Sequence, residues 1–181
     1  MSPYANILRY PKLQCDMFCD ILHGRCVSLD DNKYTAFYGT IFGWCYADPI
    51  KDRSDVHHTL RSLFEAIGVP AVLIPDNAKE LTEGLFRKVA LRYGSSIHPI
   101  EAYTPNMNIA EGLIRETKRF YRRTMAATNT PECCWDRCLR YTTITRSHTA
   151  FDSPRLQGRT PTHLLTGGSP DISFIAELGW F

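Results

Sequence analysis

The chain has 181 residues, 44% of them apolar and 22% charged, a balance that suits one folded domain and excludes a disordered tail or a coiled-coil rod. Lys plus Arg (21) nearly equals Asp plus Glu (19), and a formal net charge of +2, taken whole, argues against a strongly basic nucleic-acid binder. That sum hides a partition: residues 1–114 hold 11 basic and 13 acidic side chains, residues 115–159 hold 10 and 4, and the last 22 hold two acids and no Lys or Arg.

The N-terminal MSPYANILRYPKLQ lacks a signal-peptide pattern, and no window approaches the roughly 18 apolar residues that span a bilayer, so no membrane is expected as a partner. Residues 13–19 (LQCDMFC) predict a first strand. After a polar stretch at 30–32, residues 33–47 are rich in aromatics and Thr and predict two further strands around a turn near Gly39 or Gly43. From Ser54 the period changes: Leu60, Leu63, Phe64 and Ile67 form one helical stripe, stopped by Gly68 and Pro70. AVLIPD (71–76) predicts a short buried strand ending in an acid. Thr82, Leu85, Val89, Ala90 and Tyr93 predict a helix closed by Gly94, and IHPIE (97–101) a weak strand.

Pro105 and Asn108 introduce a long helix to about Met125, with Asn108 as its N-cap. Thr130 and Pro131 predict the start of a second long helix toward residue 148, and Thr160-Pro161 a short one ending at Gly167-Gly168. The order predicts a mixed α/β sheet with a helical C-terminal part. Seven cysteines, an odd number lying mostly in apolar runs, suit buried thiols better than disulfides; Cys133, Cys134 and Cys138 lack the paired spacing of a zinc site.

Three carboxylates stand out in this order. Asp16 lies inside the first strand, where an unpaired charge is costly. Asp76 closes the fourth strand, and Glu111 sits in the first turn of the long helix as predicted. Converging carboxylates repel unless a divalent cation joins them, and hard oxygen ligands suit Mg²⁺ or Mn²⁺. Two such ions would serve phosphodiester chemistry. Plainer uses stand beside this one: Asp76-Asn77 as a turn, and Glu111 as a capping-box partner of Asn108. The helix tips the balance. Arg115 and Lys118 follow Glu111 on one face, Arg119, Arg122 and Arg123 extend the charge, and only Glu116 opposes it between residues 112 and 131. Unpaired cations in a row need an external partner, and a phosphate backbone fits.

The ordered set of motifs resembles the catalytic core of Copia-type retrotransposon integrases. PIKDRSDV (49–56) is similar to that family's segment leading into its first helix. LIPDNAKELT (73–82) resembles the block around its second catalytic aspartate, and YTPNMNIAEG (103–112) the block around its catalytic glutamate. WDRC (135–138) and the run from Leu156 through Ser173 extend the likeness, which covers roughly residues 12 to 175. The resemblance implies a ribonuclease H-like fold, with an N-terminal tail at 1–12, a catalytic core at 13–128 and a helical C-terminal part at 129–181. It implies Asp16, Asp76 and Glu111 as the catalytic, metal-binding triad, Asp20 being the neighbouring alternative to Asp16. It further implies a polynucleotidyl transferase that trims element-end DNA and joins it to target host DNA. Mg²⁺ or Mn²⁺, two ions, would be the cofactor, and Asn108, Arg115, Lys118, Arg119 and Arg122 the DNA contacts.

A homo-oligomer acting in the nucleus, derived from a longer polyprotein, completes that expectation. A nuclease of the same fold that cuts without joining is one alternative, and three departures from the pattern point to another, an inactive DNA-binding copy. The step from Asp76 to Glu111 is 35 positions, one short of the family's usual step. Met107 stands where the family has Gln, and Ala78 where it has Gly.

Overall fold

A computed structural model describes residues 10–100 and 105–173. The strands are β1 (Lys12–His23), β2 (Tyr34–Gly39), β3 (Cys45–Ile50), β4 (Val69–Pro75) and the two-residue β5 (Ser96–Ile97). The helices are α1 (Val56–Ile67), α2 (Lys79–Thr82), α3 (Gly84–Arg92), α4 (Pro105–Ala127), α5 (Trp135–His148) and α6 (Pro161–Thr166). One sheet runs β3-β2-β1-β4-β5; β1, β2 and β3 pair antiparallel, while β4 is parallel to both β1 and β5. This is the mixed sheet flanked by helices that the sequence predicts.

The two sheet faces follow from alternation along β1. Leu13, Met17 and Cys19 join Ala36, Tyr38 and Leu73 beneath α1 and α3, where Leu60, Leu63, Phe64 and Phe86 close a single large apolar cluster. Phe18 and Leu22 point the other way, toward α4, and meet Ala110 and Leu113 in two small clusters. A third small cluster sets Trp135 and Leu139 of α5 on Ala47. Helix α4 lies close to β2 because Gly39 has no side chain: a Cβ there would stand 2.3 Å from Leu113 Cδ2.

Helix α1 ends where expected. Gly68 takes φ 111°, a region that L side chains rarely adopt, and a Cβ there would meet the Pro11 carbonyl oxygen at 2.5 Å. Thr160 caps α6 by accepting from the His163 N–H at 3.1 Å, and Gly167 closes it with φ 77°. The β1–β4 ladder is irregular: Leu13 pairs with Pro70 but Asp16 with Val72, so β1 carries one residue more than β4 between these points.

Several boundaries differ from the sequence reading. β1 continues four residues past Cys19, because Asp20 and Ile21 keep pairing with Phe37 and Ala36. The helix predicted around Thr82 to Tyr93 is two helices broken at Glu83, and Phe86 rather than Leu85 is its buried anchor; Leu85 is 55% exposed. Helix α4 begins at Pro105, a residue preorganised for a first helical position, so Asn108 is inside it and is no N-cap. Glu111 is therefore the seventh residue of α4, beyond its first turn, which removes the capping-box use. Pro131 is extended, with ψ 144°, and α5 starts at Trp135 after a single 3-10 turn. All seven cysteines are free, and Cys26 is exposed. Among the described residues, no helix is long and apolar enough to cross a membrane.

Candidate active site

The pairing register decides which acids meet. Phe18 stands beside Ile74 and Cys19 beside Pro75, the last pair of the parallel ladder, so Asp20 and Asp76 are the next residues on the two chains. The Asp76 N–H donates to the Cys19 carbonyl at 3.1 Å and ties the end of β4 to this level of β1. Both acids lie one position beyond side chains that face α1, so both face α4. Asp20, Asp76 and Glu111 line one cleft of about 250 Å³, with Phe18, Ala110 and Leu113 as its apolar wall. Asp16 is not brought to this place. It pairs with Val72, four residues earlier on β1, roughly 13 Å away at about 3.3 Å per residue, and its side chain is exposed. Asp20 takes the position expected for Asp16.

Asp20 is half-buried, and burial pushes its carboxyl above its ordinary value. The neighbouring charge of Asp76 pushes the same way, whereas the Ile21 N–H, Lys118 and Arg53 oppose it. The Ile21 N–H donates to Asp20 Oδ1 at 2.7 Å, and the Asn77 N–H to Asp76 Oδ1 at 2.7 Å. Asn77 also donates through Nδ2 to the Ile100 carbonyl at 3.2 Å, fastening the segment after β5 to the rim. Arg53, which sequence reasoning did not single out, acts on Asp20 from the turn before α1 and is held by Glu80 at 3.0 Å. Its signal lay in the KDRSD run, which the sequence reading used only as a family motif.

A second, larger cleft of about 690 Å³ adjoins the first and shares Asp20 and Glu111 with it. Its other polar lining is basic: Arg115, Lys118, Arg119, Arg122 and Arg123 of α4. Arg119 pairs with Glu116 at 3.1 Å. Among the described residues Arg115, Lys118, Arg122 and Arg123 form no ion pair. Four of the five predicted DNA contacts thus share one wall; the side chain of Asn108 lies outside the described residues.

The donor set suits a hard cation, since Asp20, whose ionisation burial and the charge of Asp76 make costlier, gains from a positive charge beside it. Among the described residues, however, no three His, Cys, Asp or Glu side chains stand close enough to hold one ion together. Asp20 and Asp76 each follow the last pair of the β1–β4 ladder, and Glu111 of α4 lines the same cleft.

The fold is that of retroviral integrase catalytic cores, a ribonuclease H-like sheet flanked by helices. The chain is similar to the catalytic core domain of BIV integrase, with TM-score 0.66 and 14% identity over 84% of this chain and 93% of that one. It is also similar to the HTLV-2 integrase catalytic core domain, solved in complex with magnesium in a trimeric form, with TM-score 0.65 and 14% identity over 87% and 99% of the two chains. A third likeness is to the simian T-cell lymphotropic virus intasome, solved with the PP2A regulatory subunit B56 gamma, at TM-score 0.66 and 15% identity over 86% of this chain and 58% of that one. No protein-family model matches the chain, and no curated protein matches it in sequence.

Proposed function

We propose that the chain is a Copia-type integrase core that cleaves phosphodiesters and joins element-end DNA to target DNA. The observation that carries this reading is the shared lining of the two clefts. Asp20 and Glu111 belong both to the acidic pocket and to the basic one, so a phosphate held by Arg115 and Lys118 lies against the carboxylates. In this reading Asp20, not Asp16, joins Asp76 and Glu111 as the ligands of Mg²⁺ or Mn²⁺, taken as two ions. When bound, such ions lower the pKa of an attacking water and neutralise charge developing on a leaving oxygen. The chain's own residues supply the rest. Lys118 and Arg115 hold the backbone in reach, Phe18, Ala110 and Leu113 keep one wall of the pocket dry, and Asn77 fixes the rim behind Asp76. Arg119 and Arg122 extend the backbone contact, and Asn108 is assigned to the DNA near the scissile bond.

The magnesium in the HTLV-2 core domain supports the choice of ion, and the trimeric and intasome forms of the neighbours support a homo-oligomer. Location in the nucleus follows from the same reading, since the target is host DNA. The test is a Mg²⁺-dependent nicking and joining assay on a short duplex, with Asp76→Asn, Asp20→Asn and Asp16→Asn compared. Loss of products with the first two and their retention with Asp16→Asn is the expected result. Equal nicking by wild type and Asp76→Asn would sink the catalytic assignment and leave a DNA-binding protein of this fold.

A further inference from the structure

Helix α4 borders two grooves, and only one of them faces the carboxylates. The ridge between them is made by Arg119 and Arg123, four residues apart and so about 6 Å along the axis, which belong to the lining of both. The far groove, about 270 Å³, lies between α4 and α5 and is closed by Thr145, Arg146 and Phe151. It holds three guanidinium groups and a single acid, Glu116, which Arg119 already engages. Among the described residues neither Arg123 nor Arg146 has an ion-pair partner.

Two buried polar atoms on its α5 side, Thr145 Oγ1 and Arg146 Nε, have no hydrogen-bond partner among the described residues. Such atoms are costly unless an acceptor arrives from outside. The Arg146 guanidinium lies over the Phe151 ring, 5.2 Å from its centre, which covers one face of the group and holds it at the α5 wall of the groove. A flat guanidinium held in place, with that of Arg123 lining the same groove, matches the forked recognition of a phosphate.

We propose that this groove is a second phosphate site, in which Arg123 and Arg146 hold the sugar–phosphate backbone of a nucleic acid. The backbone leaves the carboxylate cleft, crosses the Arg119–Arg123 ridge and continues to α5. The inference rests on the nucleic-acid reading above and extends it to residues that reading does not use.

The experiment is binding of the 181-residue chain to a short fluorescent duplex, measured by anisotropy across a range of salt. Arg123→Gln should lower the slope of log affinity against log salt by about one, and Arg123→Gln with Arg146→Gln by about two. At about 0.1 M salt that is a loss of roughly five- to tenfold per guanidinium. Arg123 is exposed on a helix surface, so its variant stays folded; because it lines both clefts, the further drop on adding Arg146→Gln assigns the groove, and a folded double variant with the slope of Arg123→Gln alone overturns the inference. An unchanged slope in both, beside a reduced slope for Arg115→Gln with Lys118→Gln, overturns this inference alone. No change in either set overturns the nucleic-acid reading with it. Polyglutamate bound in an Arg123-dependent way, with no Arg123 dependence for the duplex, would assign the groove to an acidic polypeptide and also overturn the inference.

Discussion

The two faces of the sheet divide the work between them. Beneath α1 and α3 one continuous cluster of buried apolar side chains runs from Leu13 to Tyr93, with Leu60, Leu63, Phe64 and Leu73 fully enclosed. Beneath α4 and α5 the apolar contacts break into three small clusters, and Asp20, Asp76 and the basic clefts lie in and beside the gaps. A continuous core leaves no room for ionised groups, because each would have to give up its water. An interrupted one keeps solvent and charge in reach while still fixing the strands. The site is thus carried on the loosely packed face by strands that the other face holds rigid.

Substitutions on the two faces should therefore separate stability from activity. The largest expected effect is on chemistry: Asp76→Asn should reduce Mg²⁺-dependent cleavage by about 10³-fold. That is several kcal/mol of metal-assisted stabilisation, at 1.36 kcal/mol per decade. Its melting temperature should not fall, as thermal unfolding would show. On the other face Leu60→Ala should cost about 2–5 kcal/mol of stability by opening a cavity, with a melting temperature lower by roughly 2–4 °C for each kcal/mol. DNA affinity measured well below the melting point should stay near wild type. A large loss of affinity in that variant would show that the faces are not independent.

A smaller effect belongs to the basic wall. Arg115→Ala with Lys118→Ala should lower the salt slope of duplex binding by about two, read by titration at several salt concentrations. The smallest is a gain. Asp20→Asn removes a half-buried charge that Asp76 repels, and should raise the melting temperature by a few degrees without divalent ions. Added Mg²⁺ should raise the melting temperature of the wild type but not of this variant, because only the former binds the ion. A variant melting below wild type in metal-free buffer would contradict the picture of an acidic pair that burdens the fold.

Much of this division is written in the sequence, unevenly. The stripe of Leu60, Leu63, Phe64 and Ile67 shows α1 plainly, since a helix against a continuous core needs apolar residues at that spacing. Asp76 is legible because it follows a short apolar strand, and the α4 cations because a run of ten basic against four acidic residues is rare. Asp20 is not. A polar residue after LQCDMFC reads as the end of a strand, and only pairing with Phe37 on β2 keeps the chain extended through it. Leu85 and Phe86 exchange roles because the break at Glu83 restarts the helix at Gly84, with φ 61°, and turns its face; that glycine is the local mark, and the periodicity of Thr82 to Tyr93 overrides it when the segment is read as one helix. Glu111 is legible as a residue but not in its setting, because Pro105 rather than Asn108 begins α4.

The extra residue in β1 between Leu13 and Asp16 bears on how such chains diverge. Below it the ladder is fixed by Val69 donating to the Pro11 carbonyl at 2.8 Å, and by Lys12 Nζ donating to the Tyr93 carbonyl at 2.7 Å. Above it the ladder is fixed by the rows from Asp16 and Val72 to Cys19 and Pro75, just short of Asp20 and Asp76. The irregularity lets these two anchorages keep different offsets. A codon gained or lost there lies before Asp20, so it shifts the start of β1 against β4 and leaves both the acids and the count between them unchanged. Lineages can drift in the length of that segment without touching the pocket, so the distance from the start of β1 to its acid is a poor ruler for homology at this strand.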